Sequence, residues 1–163
     1  MTDGLTGRTA LVTGASRGIG AAIARRFAAE GAAVAVVARS VEAAPPGVAG
    51  TLRETVAAIE AAGGRAVAIR GDILDSASRV EFVAAARAAL GPIDVLVNNA
   101  TYGPYRPLEK LAEREIALTL AASVAAPLHL VQLMLPDLRA RGAAAGSSTS
   151  PRPPRSTPRA RPT

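Results

Sequence analysis

An apolar run, Thr9-Ala10-Leu11-Val12, gives way to Thr13-Gly14-Ala15-Ser16-Arg17-Gly18-Ile19-Gly20, and an alanine-rich helical pattern from Ala21 to Glu30 follows. Strand, glycine turn and helix in that order leave the first backbone N–H groups of the helix free, with the positive end of the helix dipole behind them. That arrangement favours a phosphate. The spacing gives each glycine a task. Gly14 allows the tight turn after the strand, Gly18 leaves no Cβ between the backbone and an approaching pyrophosphate, and Gly20 lets the helix pack close to the strand.

The same alternation continues along the chain. Arg8 to Val12 reads as a first strand (β1) and Gly18 to Ala29 as a helix, with Ile19, Ile23 and Phe27 on one face and a stop at Gly31. Ala33 to Ala38 is continuously apolar, as a parallel strand buried on both faces must be (β2). A loop containing Pro45-Pro46-Gly47 leads to Thr51, an N-cap with Glu54 completing a capping box, and that helix stops at Gly63-Gly64. Arg65 to Arg70 is the next strand (β3), Ser76 to Leu90 a helix closed by Gly91-Pro92, and Ile93 to Val97 a fourth strand (β4) ending in Asn98-Asn99-Ala100. From Leu108 to Arg141 the pattern is helical, with Pro127 marking a kink or boundary. Strands alternating with helices imply right-handed crossovers and a parallel sheet. The expected fold is a doubly wound, Rossmann-like α/β sheet in the order 3-2-1-4. Gly14–Gly20, Asp72 and Asn98–Ala100 all follow strand ends and should converge beside the β1/β4 reversal.

Composition narrows the function. A chain of 163 residues suits one domain with a real core. It has no cysteine, which removes disulfides and thiolate metal sites, and its one histidine, His129, cannot anchor a zinc ion unaided. The N-terminus lacks signal-peptide character and no apolar run reaches membrane-spanning length, so the expected address is the cytoplasm. The net charge of +6 suggests nucleic acid, but its distribution does not. Arg139, Arg141, Arg152, Arg155, Arg159 and Arg161 supply six of the 19 basic residues, and the rest of the chain balances its 13 acids. The basicity belongs to the tail. A rival reading, a non-catalytic binding protein whose basic tail contacts nucleic acid or an acidic partner, lacks the interleaved aromatics that single-strand binders stack on.

Taken together, Thr13-Gly14-x-x-x-Gly18-Ile19-Gly20, Asp72 after β3 and Asn98-Asn99-Ala100 after β4 resemble the N-terminal half of a short-chain dehydrogenase/reductase, over roughly residues 5 to 142. Thr101 stands where the family's closing glycine is expected. The resemblance implies an NAD(P)(H)-dependent oxidoreductase acting on a carbonyl/alcohol pair, with a homo-oligomer as a possible assembly. It implies cofactor contacts at Thr13, Gly14, Ser16, Arg17, Gly18, Ile19, Gly20, Asp72, Ile73, Asn98, Asn99 and Ala100. Charge argues for NADP(H) over NAD. An acid after β2 would hold ribose hydroxyls, whereas here Arg39-Ser40 follows β2 and Arg17 lies in the glycine turn, so two guanidinium groups are available to a 2′-phosphate. Tyr102 and Tyr105 lie in a loop beside the expected cleft, where they would touch substrate or anchor the loop.

The family's proton relay is not found. It uses a Tyr and a Lys four residues apart on a helix, aided by a Ser on the preceding strand. This chain has a single lysine, Lys110, and no Tyr-x-x-x-Lys, and no catalytic residue is assigned. Tyr102-x-x-x-Arg106 has the spacing but sits in a Gly/Pro loop that would not hold the geometry. The family's helper Asn, four residues before the proline, falls on Ser123.

After Arg141 the character changes. Residues 142–163 contain only Ala, Gly, Ser, Thr, Pro and Arg, which reads as a disordered cationic tail following a partial nucleotide-binding domain over 1–141. The family expects a fifth strand here, of the type Gly-Arg-Ile-Val-Asn-Ile-Ser. Joining each codon's third base to the first two bases of the next across Ala144–Pro151 permits that peptide residue for residue. The expectation is a frameshift near Arg139–Ala143 that replaced the C-terminal half, catalytic residues included.

Overall fold

The computed structural model describes residues 4–43, 49–104 and 106–146, with side chains as far as 141. Four strands, β1 (Thr9–Thr13), β2 (Ala33–Ala38), β3 (Arg65–Arg70) and β4 (Val95–Val97), form one sheet in the order β3-β2-β1-β4. Every pairing is parallel, with Leu11 opposite Ala35 in β2 and Leu96 in β4. The helices are α1 (Gly18–Ala29), α2 (Leu52–Ala61), α3 (Ser76–Leu90), α4 (Glu113–Leu120) and α5 (Ala126–Gly146). The expected doubly wound order is the observed one.

Strand alternation divides the core into two layers. Val12, Val34 and Val36 point to one face and pack with Leu52 and Ile59 of α2 and Ala24 and Ala28 of α1. Leu11, Ala35 and Val37 point to the other, against Phe82 and Val83 of α3 and Leu130 and Met134 of α5. The continuous apolar run of β2 follows from this sandwiching, since its inner residues Val34 to Val37 are all buried. The capping box of α2 forms as expected. The Thr51 hydroxyl accepts from the Glu54 amide at 3.2 Å, and the Glu54 carboxylate accepts from the Thr51 amide at 3.3 Å.

The last helical region differs from the sequence expectation. Leu108–Lys110 is a single 3-10 turn, Leu111 is extended, and α4 begins only at Glu113. Glu115 accepts from the Ala112 amide at 2.9 Å and so supplies one half of a capping box, since alanine has no acceptor for the other half. Ala121–Ala125 is a π turn directly before α5. Pro127 has no N–H to donate, and the wider turn before it absorbs the mismatch. α5 contains Pro136 and runs to Gly146, five residues past the boundary at Arg141, carried by the strong helix formers Ala143, Ala144 and Ala145. β4 is shorter than Ile93–Val97 because the Ile93 amide turns to Asp137 of α5 at 3.2 Å. Pro45–Gly47, Tyr105 and residues 147–163 lie outside the described residues, as does most of the segment read as a tail.

α4, the π turn and α5 run on as one helix. An 18-residue stretch within its Glu113–Arg141 span has a mean hydropathy of 1.7, so the helix is apolar and long enough to cross a membrane by length and composition, contrary to the expectation from the sequence. One face, Ala122, Ala126, Leu130 and Met134, is buried, while the opposite face exposes Ile116, Leu120, Val124, Leu128 and Val131.

Candidate functional site

A cleft of about 710 Å³ opens at the carboxyl ends of the strands. Its floor is the turn from β1 into α1, and its walls are the loops after β2, β3 and β4. The glycines of the turn behave as their spacing implies. A Cβ on Gly20 would come within 2.4 Å of the Gly14 carbonyl, so only glycine lets α1 approach the strand end. A Cβ on Gly14 would come within 2.8 Å of the Asn99 carboxamide, and Gly14 has φ +67°. Gly18 has φ +55° and open space where its Cβ would be, so the start of α1 is bare backbone. The open space beside Gly18 leaves room for a pyrophosphate at the mouth of α1, where a helix N-terminus favours negative charge.

Of the residues singled out in the sequence, Gly14, Ser16, Arg17, Ile19, Arg39, Ser40, Asp72, Ile73, Asn99 and Ala100 line the cleft together. Thr13, Gly18, Gly20 and Asn98 do not. Thr13 and Gly20 are buried behind the wall, and Gly18 and Asn98 are exposed beside it. Thr13 works indirectly. Its hydroxyl donates to the Val97 carbonyl at 3.1 Å and accepts from the amides of Asn99 and Ala100, each at 3.1 Å. The loop after β4 is thereby clamped to β1.

The wall after β3 is held by three side chains. Asp72 accepts from the Leu74 amide at 2.9 Å, and Ser78 accepts from the Asp72 amide at 3.0 Å. Arg79 donates to the Ile73 carbonyl. At the other wall, Arg17 and Arg39 are exposed at the cleft margin, and neither has an acidic or hydrogen-bonding partner among the described residues. Cationic groups left free beside a cradle for phosphate fit a ligand with a further phosphate.

Several contributors were not visible in the sequence. Val37, Gly71, Leu74 and Thr101 also line the cleft. Gly71 is required by packing, since a Cβ there would come within 2.4 Å of the Phe82 ring. The glycine turn is braced from α2, where the Thr55 hydroxyl donates to the Ala15 carbonyl at 2.9 Å, and Gly50 approaches Ser16 too closely to carry a side chain. These depend on contacts between distant segments and leave no local pattern. Of the two loop tyrosines, Tyr102 lines the cleft. Its spacing partner Arg106 is turned away and pairs with Glu115 at 3.3 Å, while Lys110 is exposed on the 3-10 turn. Ser123 lies in the π turn, 3.4 Å from the Thr101 hydroxyl.

A second hollow of about 350 Å³ lies at the opposite ends of the strands, lined by Gly31, Gly63, Gly64, Arg8 and Arg65 among others. Its arginines are engaged elsewhere, Arg8 with Asp94 at 3.5 Å and Arg65 with the Ala89 carbonyl at 3.1 Å.

Comparison with known proteins agrees with this geometry. A model of the short chain dehydrogenase family matches residues 8–147. The chain is 38% identical over 138 residues to the ketoacyl reductase HetN of Nostoc, covering 85% of this chain and 45% of that protein. Among solved structures it is similar to a 3-oxoacyl-(acyl-carrier-protein) reductase from Agrobacterium tumefaciens with NADP bound, at 37% identity and a TM-score of 0.73 over 85% of this chain and 50% of that one. It is also similar to L-sorbose reductase from Gluconobacter frateurii complexed with NADPH and L-sorbose, at 32% identity and a TM-score of 0.77 over 87% of this chain and 51% of that one. The chain thus spans about half the length of these relatives. A parallel sheet in the order β3-β2-β1-β4, a glycine cradle at the mouth of α1 and a match over residues 8–147 make this chain a member of the short-chain dehydrogenase family.

Proposed function

We propose that this chain is the nucleotide-holding half of an NADP(H)-preferring oxidoreductase of the carbonyl/alcohol type. The observation that carries the cofactor choice is the pair Arg17 and Arg39, both at the cleft margin and both without an acidic partner among the described residues. Two guanidinium groups suit a 2′-phosphate, and no acid occupies the position after β2 that would favour ribose hydroxyls. The relatives solved with NADP or NADPH support the same choice. NADP(H) supplies the hydride, and this chain's residues bind and orient its adenine end. The exposed amides of α1 take the diphosphate, and the Asp72–Leu74 turn flanks the adenine side of the cleft.

The chain as written binds cofactor without turning over. It contains no Tyr-x-x-x-Lys, and Arg106, spaced four residues from Tyr102, is committed to Glu115. We assign it a cytoplasmic address, with the buried stripe of α5 serving the core rather than a membrane. Its small-molecule substrate belongs to the intact parent, and self-association is expected through the exposed apolar face of α4 and α5. Titration of the purified chain with NADPH and NADH, followed by reduced-nicotinamide fluorescence, tests the assignment. Tighter NADH binding would refute the preference for NADP(H). Carbonyl reduction above background with NADPH would refute the claim of inactivity.

A further inference from the structure

His129 of α5 faces Arg79 of α3, and Arg79 in turn reaches the cleft. The Arg79 Nε–H donates to His129 Nδ1 at 2.8 Å. A second nitrogen of the same guanidinium donates to the carbonyl of Ile73, which lines the cleft beside Asp72. A guanidinium has no acceptor, so Nδ1 must carry the lone pair, and the imidazole is the neutral tautomer with its proton on Nε2. The contact therefore needs an acceptor on the side of His129 that faces α3.

Resting on the cofactor reading above, we propose that His129 and Arg79 are a positioning pair. Neutral His129 orients Arg79, and Arg79 fixes the Ile73 carbonyl and with it the wall that flanks the nucleotide. Removing the acceptor at position 129 then releases Arg79 and loosens that wall, and nucleotide affinity falls. Little else competes for control of this histidine. No other ionisable residue lies within four positions of it along the chain, and the π turn has none. On α3, Asp75 caps the helix through Ala77, Glu81 is exposed, and Arg87 is paired with Asp137 of α5. Asp72 is occupied by the Leu74 amide.

The chain has one histidine, so imidazole ¹⁵N spectra of the full chain report His129 alone. At pH 8, without nucleotide, we expect a lone-pair Nδ1 and a protonated Nε2, and the opposite tautomer would overturn the pair. The second arm compares NADPH affinity at pH 8 of the wild type, His129→Gln and His129→Leu. Glutamine keeps an acceptor for Arg79 and leucine offers none. His129→Leu should lose about fivefold in NADPH affinity, and His129→Gln should recover most of that loss. Equal affinities for the three proteins, or equal losses in both variants, overturn the proposal. Failure of the wild type to bind NADPH at pH 8 counts against the cofactor reading instead, while the tautomer spectrum still decides whether the pair exists.

Discussion

Asn99 donates twice to Thr13 across the junction of β1 and β4. The Thr13 hydroxyl accepts from the Asn99 amide at 3.1 Å, and the Thr13 carbonyl accepts from the Asn99 carboxamide at 3.0 Å. The same carboxamide also reaches the Gly14 carbonyl at 3.2 Å, so one side chain sets both the strand end and the glycine turn. Replacing Thr13 by Val keeps the shape, leaves the Ala100 amide without its acceptor and leaves the Asn99 amide only the Val97 carbonyl at 3.1 Å. We expect a loss of about 1–3 kcal/mol in stability by urea denaturation, together with weaker nucleotide binding because the loop after β4 is released.

Gly20 and Gly18 stand two residues apart and should respond oppositely. Gly20→Ala forces a methyl group into the Gly14 carbonyl and should cost about 1–3 kcal/mol of stability. At Gly18 the space is open and only the positive φ resists, so Gly18→Ala should cost about 1 kcal/mol. Its main effect should fall on NADPH affinity, since the new methyl lies in the approach to α1. Paired denaturation and binding measurements separate the two. Equal stability losses would contradict the division of roles.

Cofactor choice should depend on the guanidinium groups of Arg17 and Arg39. Arg39→Ala is expected to weaken NADPH binding about tenfold, the size of one lost charge-assisted hydrogen bond, and to leave NADH binding nearly unchanged. Raising the salt concentration should reduce the NADPH advantage more in the wild type than in the variant, which keeps Arg17. Equal losses for both nucleotides would place Arg39 outside the phosphate site.

Asp137 ties α5 to the sheet. Its carboxylate accepts from Arg87 Nε at 2.8 Å and from the Ile93 amide at 3.2 Å. Asp137→Ala should destabilise the protein by about 1–2 kcal/mol, a value reduced by the partial exposure of Arg87. Asp137→Asn, which keeps an acceptor for the amide, should recover part of it. Thermal denaturation of both variants reads the difference.

The reading-frame expectation for residues 142–163 is settled by DNA. The shifted frame should encode the missing strand and, further on, a Tyr-x-x-x-Lys. Early stop codons in that frame would dismiss it.

The fold was largely legible because its signals are local. β2 reads as buried because Ala33 to Ala38 contains no polar residue, and α2 announces its start through Thr51 and Glu54. Gly14, Gly18 and Gly20 also declared their places, since a missing Cβ is a local property with a local consequence. Thr13 is a different case. In the sequence it reads as a ligand contact, yet its hydroxyl is consumed by β4, and nothing near Thr13 in the chain hints at Asn99. Thr55 under Ala15 and Gly71 under Phe82 are likewise products of folding, visible only once distant segments meet. The break before α4 escaped because Leu108, Glu109, Lys110 and Leu111 are all good helix formers, while the wide turn at Ala121–Ala125 answers to a proline that follows it.

β4 has a ladder partner in β1 and none on its far side among the described residues. Its outward amides and carbonyls are templates that accept any extended segment, whatever its origin. How this protein behaves in a cell or a test tube will therefore depend on crowding and company as much as on sequence. Concentrated, or produced beside a polypeptide able to continue its sheet, it should pair along that edge, and size-exclusion chromatography across a dilution series reads the difference.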